Sequence, residues 1–328
     1  MGKTKRQHYV PQSYLRRFST DGKQISVYDK VLKRRFCDGI RNVAQETGFN
    51  EIVKETAGTG PLTEEDKMIV ETAFSGIEGS FSTVVSEILA LQPGARITPE
   101  QRRQMATFTA IQLLRTRAHR NVISEAVRKL VLALCAEAVK INFGEDHLKY
   151  LPKVLYEDKA AGRFQSSQIF DFKKLAQFAA SLNKHLWMIG VNDTGHPFYT
   201  SDNPVVMHTP FKKQLVGVGI ESLGIEIAFP LSSNRVLVLA DRLFYDGASD
   251  GMSVQMAAGN VEYYNSLQVI HSERQIYCEK QDFDLAEDMI AENPALATPP
   301  SDRVDVRFVD VLDADPNDEE KSNEAGAG

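Results

Sequence analysis

Cysteine is scarce and scattered in this chain of 328 residues: Cys37, Cys135 and Cys278 stand far apart, with neither a CxxC pair nor Cys/His ligand spacing. That excludes a disulfide framework and a zinc site of recognisable pattern. Cys135 falls inside the apolar run 130–138 and reads as a small core residue. No apolar run reaches the roughly 20 residues needed to span a bilayer. The start, Met-Gly-Lys-Thr-Lys-Arg-Gln-His, has neither an apolar signal segment nor the Ser/Thr of a myristoylation signal, and a cytoplasmic location is expected. Missing too are GxGxxG and Walker A glycine loops, HExxH, and the GxSxG elbow. P-loop hydrolysis and Rossmann redox chemistry are set aside accordingly. His147, His185 and His196 are dispersed without ligand spacing.

What is present is ordinary globular composition, 42% hydrophobic and 25% charged, with an uneven distribution of charge. Residues 1–35 carry ten Lys/Arg against Asp21 and Asp29, whereas residues 313–328 carry six acids against Lys321. A basic head of this kind serves either as a solvated surface or as a contact for a polyanion.

The periodicities place helices early and strands late. Gln24–Asp29 alternates as a strand, with a weaker return strand over 32–37. A helix follows Thr63. The next begins at Thr98-Pro99-Glu100-Gln101, which has the form of a capping box with Pro at the first helical position. Helical character runs to about Phe143-Gly144, too far for one helix, and a break is expected near 119–121. A shorter helix is expected over 171–182. Strands are expected over 186–191, 198–200, 205–208, 224–229, 235–240 and 276–279, with a helix over 261–271. The fold class is therefore α+β, with an N-terminal hairpin and a helical middle packed on a mainly antiparallel sheet. One large domain is expected over 1–292, its helical part at 63–183 and its sheet part at 184–285. Residues 293–328 read as a Pro-containing, acidic and largely disordered tail.

Polar chemistry concentrates in three places. The first is Gln7–Phe18, where His8 is the one group that exchanges a proton near neutral pH. Arg16 and Arg17 there can fork onto a phosphate or carboxylate. The competing reading has Val10, Tyr14, Leu15 and Phe18 packing the segment down while His8 and Gln12 satisfy buried backbone. The second is Gln112, Arg115 and His119, which share one helix face at i, i+3 and i+7 and either line a cleft or form a solvated face. The third is Ser201-Asp202-Asn203-Pro204-Val205, a strand end that either makes an Asx-type turn or presents Asp202 to a cleft.

His8-Tyr9-Val10-Pro11-Gln12-x-Tyr14-Leu15-Arg16-x-Phe18, Gln112-x-x-Arg115-Thr116 and Ser201-Asp202-Asn203-Pro204-Val205 together resemble a prokaryotic family catalogued as domain of unknown function 4238. A Phe229-Pro230-Leu231-Ser232 turn fits it as well, and His119 lies outside its pattern. The resemblance spans roughly 7–280 and implies that the three motifs form one structural unit, without implying an activity. If they converge, the expected site holds His8 and Asp202 as catalytic groups, with Gln12, Arg16, Gln112, Arg115 and Ser201 binding substrate. Asp202 would orient the histidine or hold a divalent cation. The function expected from such a set is hydrolysis of a phosphate-bearing substrate, of nuclease or phosphodiesterase type. The alternative is a non-catalytic module binding nucleic acid or protein through the basic N-terminal region. A third reading makes all three motifs packing and capping devices.

Overall fold

The computed structural model describes residues 6–47, 49, 64–147, 171–211, 219–245 and 247–300. The last 28 residues of the expected tail lie outside them. The described part of that tail contains a 3-10 turn, Pro294–Ala297, whose Leu296 and Ala297 pack against a buried cluster.

The fold is α+β. Strand β1 (Arg6–His8) leads into a single helical turn, α1 (Gln12–Leu15), and then the hairpin β2 (Gln24–Asp29) and β3 (Arg34–Gly39). β4 (Gln45–Thr47) returns to pair antiparallel with β1, placing His8 opposite Gln45. Three long helices follow: α2 (Glu64–Leu89), α3 (Pro99–Leu114) and α4 (Arg117–Phe143). The capping box at Thr98 forms as expected, with its hydroxyl accepting from Gln101 N and the Gln101 side chain accepting from Thr98 N. The break between α3 and α4 comes at Arg115-Thr116, a few residues earlier than the sequence suggests. Thr116 supplies the reason, because its Oγ1 accepts from His119 N and starts a new helix. No helix among the described residues is long and apolar enough to cross a membrane.

After α5 (Phe172–Lys184), capped by Asp171, the chain turns to sheet. The strands are β5 (Leu186–Val191), β6 (Thr200–Ser201), β7 (Val206–His208), β8 (Glu226–Ser232), β9 (Arg235–Ala240), β10 (Met252–Gln255) and β11 (Gln275–Cys278). Between the last two runs α6 (Ala258–His271), and α7 (Asp284–Glu292) follows β11. A five-stranded sheet has the order β10-β5-β9-β8-β7, antiparallel except for the β10–β5 pair. A four-stranded sheet, β3-β2-β11-β6, ties the N-terminal hairpin to the C-terminal half. The split into early helices and late strands therefore holds for chain order but not for pairing.

β8 and β9 are buried along their whole length, so the five-stranded sheet is covered on both faces. Their side chains alternate. Ile227, Phe229, Leu237 and Leu239 join the main core with Tyr14, Phe81, Phe108 and Trp187. Ala228, Val236 and Val238 join Val261, Tyr264 and Leu267 of α6. Pro230 interrupts β8, where it has no N–H for the ladder, and the register shifts between Pro230 and Ser232. Gly190 on β5 lets the chain beside it approach closely, since a Cβ there would run into Met256 and lie 2.7 Å from Val236 Cγ1.

Candidate functional site

The helix α3 and the opening stretch meet through main-chain carbonyls. Gln112 near the end of α3 and Arg115 at its C-cap, both 1% exposed, lie one turn apart. Gln112 Nε2 donates to Tyr9 O at 3.2 Å, and Arg115 Nη2 donates to His8 O at 2.8 Å. The second partner of Arg115 is Glu78 of α2, whose Oε1 accepts from Nη1 and Nη2 at 3.2 Å. Burial pulls the guanidinium below its ordinary pKa while Glu78 opposes that pull. The Gln-x-x-Arg spacing is therefore a clamp on two consecutive carbonyls of the N-terminal segment.

The rest of that segment is also tied down. Tyr9 N donates to Ala44 O at 3.1 Å. The Tyr14 hydroxyl, fully buried, meets Thr200 Oγ1 at 2.6 Å and donates to Pro230 O at 2.7 Å. Arg17 reaches Ser82 O and Oγ, both at 3.1 Å, and lies over the Phe81 ring. Arg16 is exposed. The His8 ring has its Nδ1 3.4 Å from Gln12 Nε2, and its Nε2 is enclosed. Burial lowers the imidazole pKa, against the carbonyls of Ile40 and Arg41 and the charge of Glu78, which raise it.

The strand-end box is held by a second set of amides. Asp202 Oδ1 accepts from Glu273 N at 2.8 Å, and Oδ2 accepts from Arg274 N at 2.8 Å and Gln275 N at 2.9 Å. Burial nevertheless pushes its carboxyl up to about 6, against those three donors and the charge of Lys30. Lys30 itself is fully buried and donates to Ser272 O and Val269 O at the C-terminus of α6. Ser201 Oγ donates to Gln268 Oε1 at 2.7 Å, and Gln268 Nε2 donates to Pro204 O at 3.0 Å. Asn203 Nδ2 donates to His271 O at 3.0 Å. One turn earlier on α6, Asn265 accepts from Tyr199 N at 2.7 Å and donates to Pro197 O at 3.1 Å. Asn265, Gln268 and the His271 carbonyl thus form a ladder along α6 that holds segment 197–204 through its backbone and through the Ser201 and Asn203 side chains.

Of the residues singled out in the sequence, Gln112, Arg115 and the His8 carbonyl come together directly. The opening stretch and the strand-end box approach each other at Tyr9, whose phenol pKa is raised first by burial and next by the Asp202 charge. The His8 ring is placed beside Gln12 and the 40–41 backbone, while the Asp202 carboxylate is engaged by the 273–275 backbone. Three N–H donors aimed at two carboxylate oxygens surround Asp202 with partial positive charge, an environment for an anion and not for a cation. Among the described residues no group of three or more His, Cys, Asp or Glu is disposed to hold a metal ion.

A large concavity lies beside this network. A cavity of about 800 Å³ is lined by Leu113, Leu114, Thr116, Ala118, His119, Val122 and Ile123 from the α3–α4 junction. Lys174, Gln177, Phe178 and Ser181 of α5, with Asn203, Val205, Met207, Ile220, Glu221 and His271, complete most of the wall. Its surface is mostly apolar, with two imidazoles, one lysine and one glutamate among the polar groups. Sequence reasoning singled out His119 and passed over His271, Lys174 and Glu221. His271 ends a helix far along the chain, and no spacing connects it to His119.

A family model described as "Protein of unknown function (DUF4238)" matches residues 6–282. The chain belongs to this family. The match takes in both clamps and all three motifs of the DUF4238 chain and ends before α7. No curated protein and no solved structure matches it.

Proposed function

We propose that this DUF4238 protein takes up a small molecule with a mainly apolar body in the cavity of about 800 Å³ and acts on it there. One observation carries the reading: two of the three motifs end on that cavity, through Thr116 and through Asn203 and Val205. Their remaining polar groups are engaged in holding the chain. An apolar concavity with a few convergent polar groups is the usual form of a small-molecule site. His119 and His271 are its groups for proton transfer near neutral pH. Lys174, which also pairs with Asp171 at 3.6 Å, brings a positive charge to the wall that suits a reacting group bearing phosphate, and hydrolysis of a phosphate ester is the reaction type we favour.

Two measurements test this separately. The naphthalene dye 8-anilinonaphthalene-1-sulfonate should bind at one site per chain, and Val122→Trp, at a partly exposed position on the wall, should remove that site. Bis(p-nitrophenyl) phosphate should be hydrolysed, with the activity lost in His119→Ala and in His271→Ala while urea unfolding stays cooperative. Dye binding unaffected by Val122→Trp would remove the cavity from the proposal, and hydrolysis that survives both histidine substitutions would remove the chemistry. A second reading is favoured by the exposed Lys23, Lys33, Arg34 and Arg41 on and beside the β2–β3 hairpin, which form a basic surface. A nucleic acid held there would dissociate steeply with salt and would be indifferent to His119 and His271.

A further inference from the structure

A second concavity shares no lining residue with the first. Segment 196–199, the start of α6 and residues 282–288 enclose a groove of about 370 Å³. Four carboxylates line it: Glu262, Asp282, Asp284 and Asp288. Asp284 is balanced by Arg35 at 2.7 Å, and among the described residues Asp282 has only His196 as an ion-pair partner, at 3.6 Å. Glu262 and Asp288 make no ion pair or hydrogen bond among the described residues. When His196 is neutral, three carboxylates therefore face the groove without a cationic partner.

Acidic side chains alone would be an ordinary solvated face, but the lining holds something else. Tyr199 is 3% exposed, its N–H donates to Asn265, and its ring packs against Phe283 with centroids 5.6 Å apart. Its hydroxyl has no hydrogen-bond partner among the described residues, although the residue lines the groove. The hydroxyl is not enclosed by the protein, so it reaches the surface, and the groove is the surface that this residue lines. Tyr14 bonds to Thr200 and Pro230 and Tyr277 to Gln275, whereas Tyr28, which also packs on Phe283, has no hydroxyl partner among the described residues. Tyr199, Asp282 and Asp284 line the groove together, and the Tyr199 phenol pKa is raised first by burial and then by the charges of Cys278, Asp282 and Asp284.

We propose that this groove binds an organic cation, an ammonium or guanidinium on an aliphatic stem. Asp282, Asp288 and Glu262 balance its charge, the Tyr199 hydroxyl oxygen accepts one of its N–H groups, and Pro197, Val261 and Leu285 pack against the stem. A metal ion is the poorer occupant, because it requires several ligands converging on one point, which the described residues do not provide. An ammonium is satisfied by carboxylates spread along a groove.

Calorimetric titration of the full chain at low ionic strength tests the assignment, with 1,4-diaminobutane and Nα-acetyl-lysine methylamide as probes. Saturable one-to-one binding is expected. Asp282→Asn combined with Asp288→Asn should weaken it about tenfold or more, and added salt should weaken it further. Tyr199→Phe should weaken it about threefold or more without shifting the unfolding curve, because the hydroxyl supports nothing inside the protein. Tighter binding of the diamine identifies a free polyamine as the ligand class, and tighter binding of the lysine derivative identifies a side chain of a protein partner. Absence of saturable binding by both probes overturns the proposal, as does equal affinity in the double carboxamide variant.

Discussion

Replacing Arg115 with methionine tests the clamp on the N-terminal segment most directly. The substitution keeps an unbranched apolar stem and removes the guanidinium with its donors. The lost bond to His8 O is short, at 2.8 Å, and its donor is charged, which makes it worth about 1.5–3 kcal/mol. The ion pair to Glu78 adds less, because the Glu78 side chain is 26% exposed and is rehydrated when the arginine goes. Against these losses, methionine no longer suffers the desolvation that depresses the Arg115 pKa. The net destabilisation expected is about 2–4 kcal/mol. Urea unfolding followed by Trp187 fluorescence measures it well, since Trp187 is the sole tryptophan and is fully buried in the main core. Glu78→Gln made in both backgrounds should show a coupling of at least about 0.5 kcal/mol. The reasoning fails if Arg115→Met unfolds within about 1 kcal/mol of wild type but has lost dye binding or hydrolysis. That outcome would make the guanidinium a ligand contact and not a clamp.

Tyr14→Phe should cost about 1–3 kcal/mol in the same assay, because Pro230 O and Thr200 Oγ1 lose a buried partner; a neutral result would mean the hydroxyl bridge is not formed. Asp202 gives a pH signature. Its carboxyl is raised from 3.8 to about 6 on folding, so the neutral acid is favoured in the native state. The stability it contributes is fully present below about pH 3.8 and is lost as pH rises through about 6, a change of about 3 kcal/mol. Unfolding free energies of wild type minus Asp202→Asn should fall by that amount between about pH 2.5 and pH 7. Parallel pH profiles would show that the three N–H donors cancel the effect of burial. Gly190→Ala should destabilise by about 1–3 kcal/mol through overpacking against Met256 and Val236, and Met256→Ala in the same chain should relieve part of the loss, as differential scanning calorimetry would show.

Local chemistry carried much of the architecture. The capping box at Thr98–Gln101, the strands Gln24–Asp29, Leu186–Val191 and Arg235–Ala240, and the continuous apolar runs of β8 and β9 depend on neighbours a few residues away. Such features are written into the sequence period. So was the family, because three ordered motifs needed only their residues to be recognised. The strand β10, which joins the sheet parallel to β5, gave no such signal, since its partner is some sixty residues away and its four residues have no distinctive alternation.

The meaning of the motifs was decided by tertiary structure. Spacing placed Gln112 and Arg115 on one face of a helix but could not say what faced them. The fold puts carbonyls of Tyr9 and His8 there, so that groups suited to gripping phosphate grip the chain itself. Asp202 is the same case: a carboxylate at a strand end is compatible with catalysis or with capping. Only the return of residues 273–275 to within hydrogen-bond distance shows that backbone N–H groups surround it. Hydrogen bonds across about seventy to a hundred residues leave no period in the sequence, because each partner is a main-chain group that every residue carries. The same holds for the cavity that joins His119 to His271 and for the groove around Tyr199, both assembled from segments far apart along the chain. The sequence by itself determined the elements and the kinship. Packing alone determined which polar groups are locked into the scaffold and which are left facing open space.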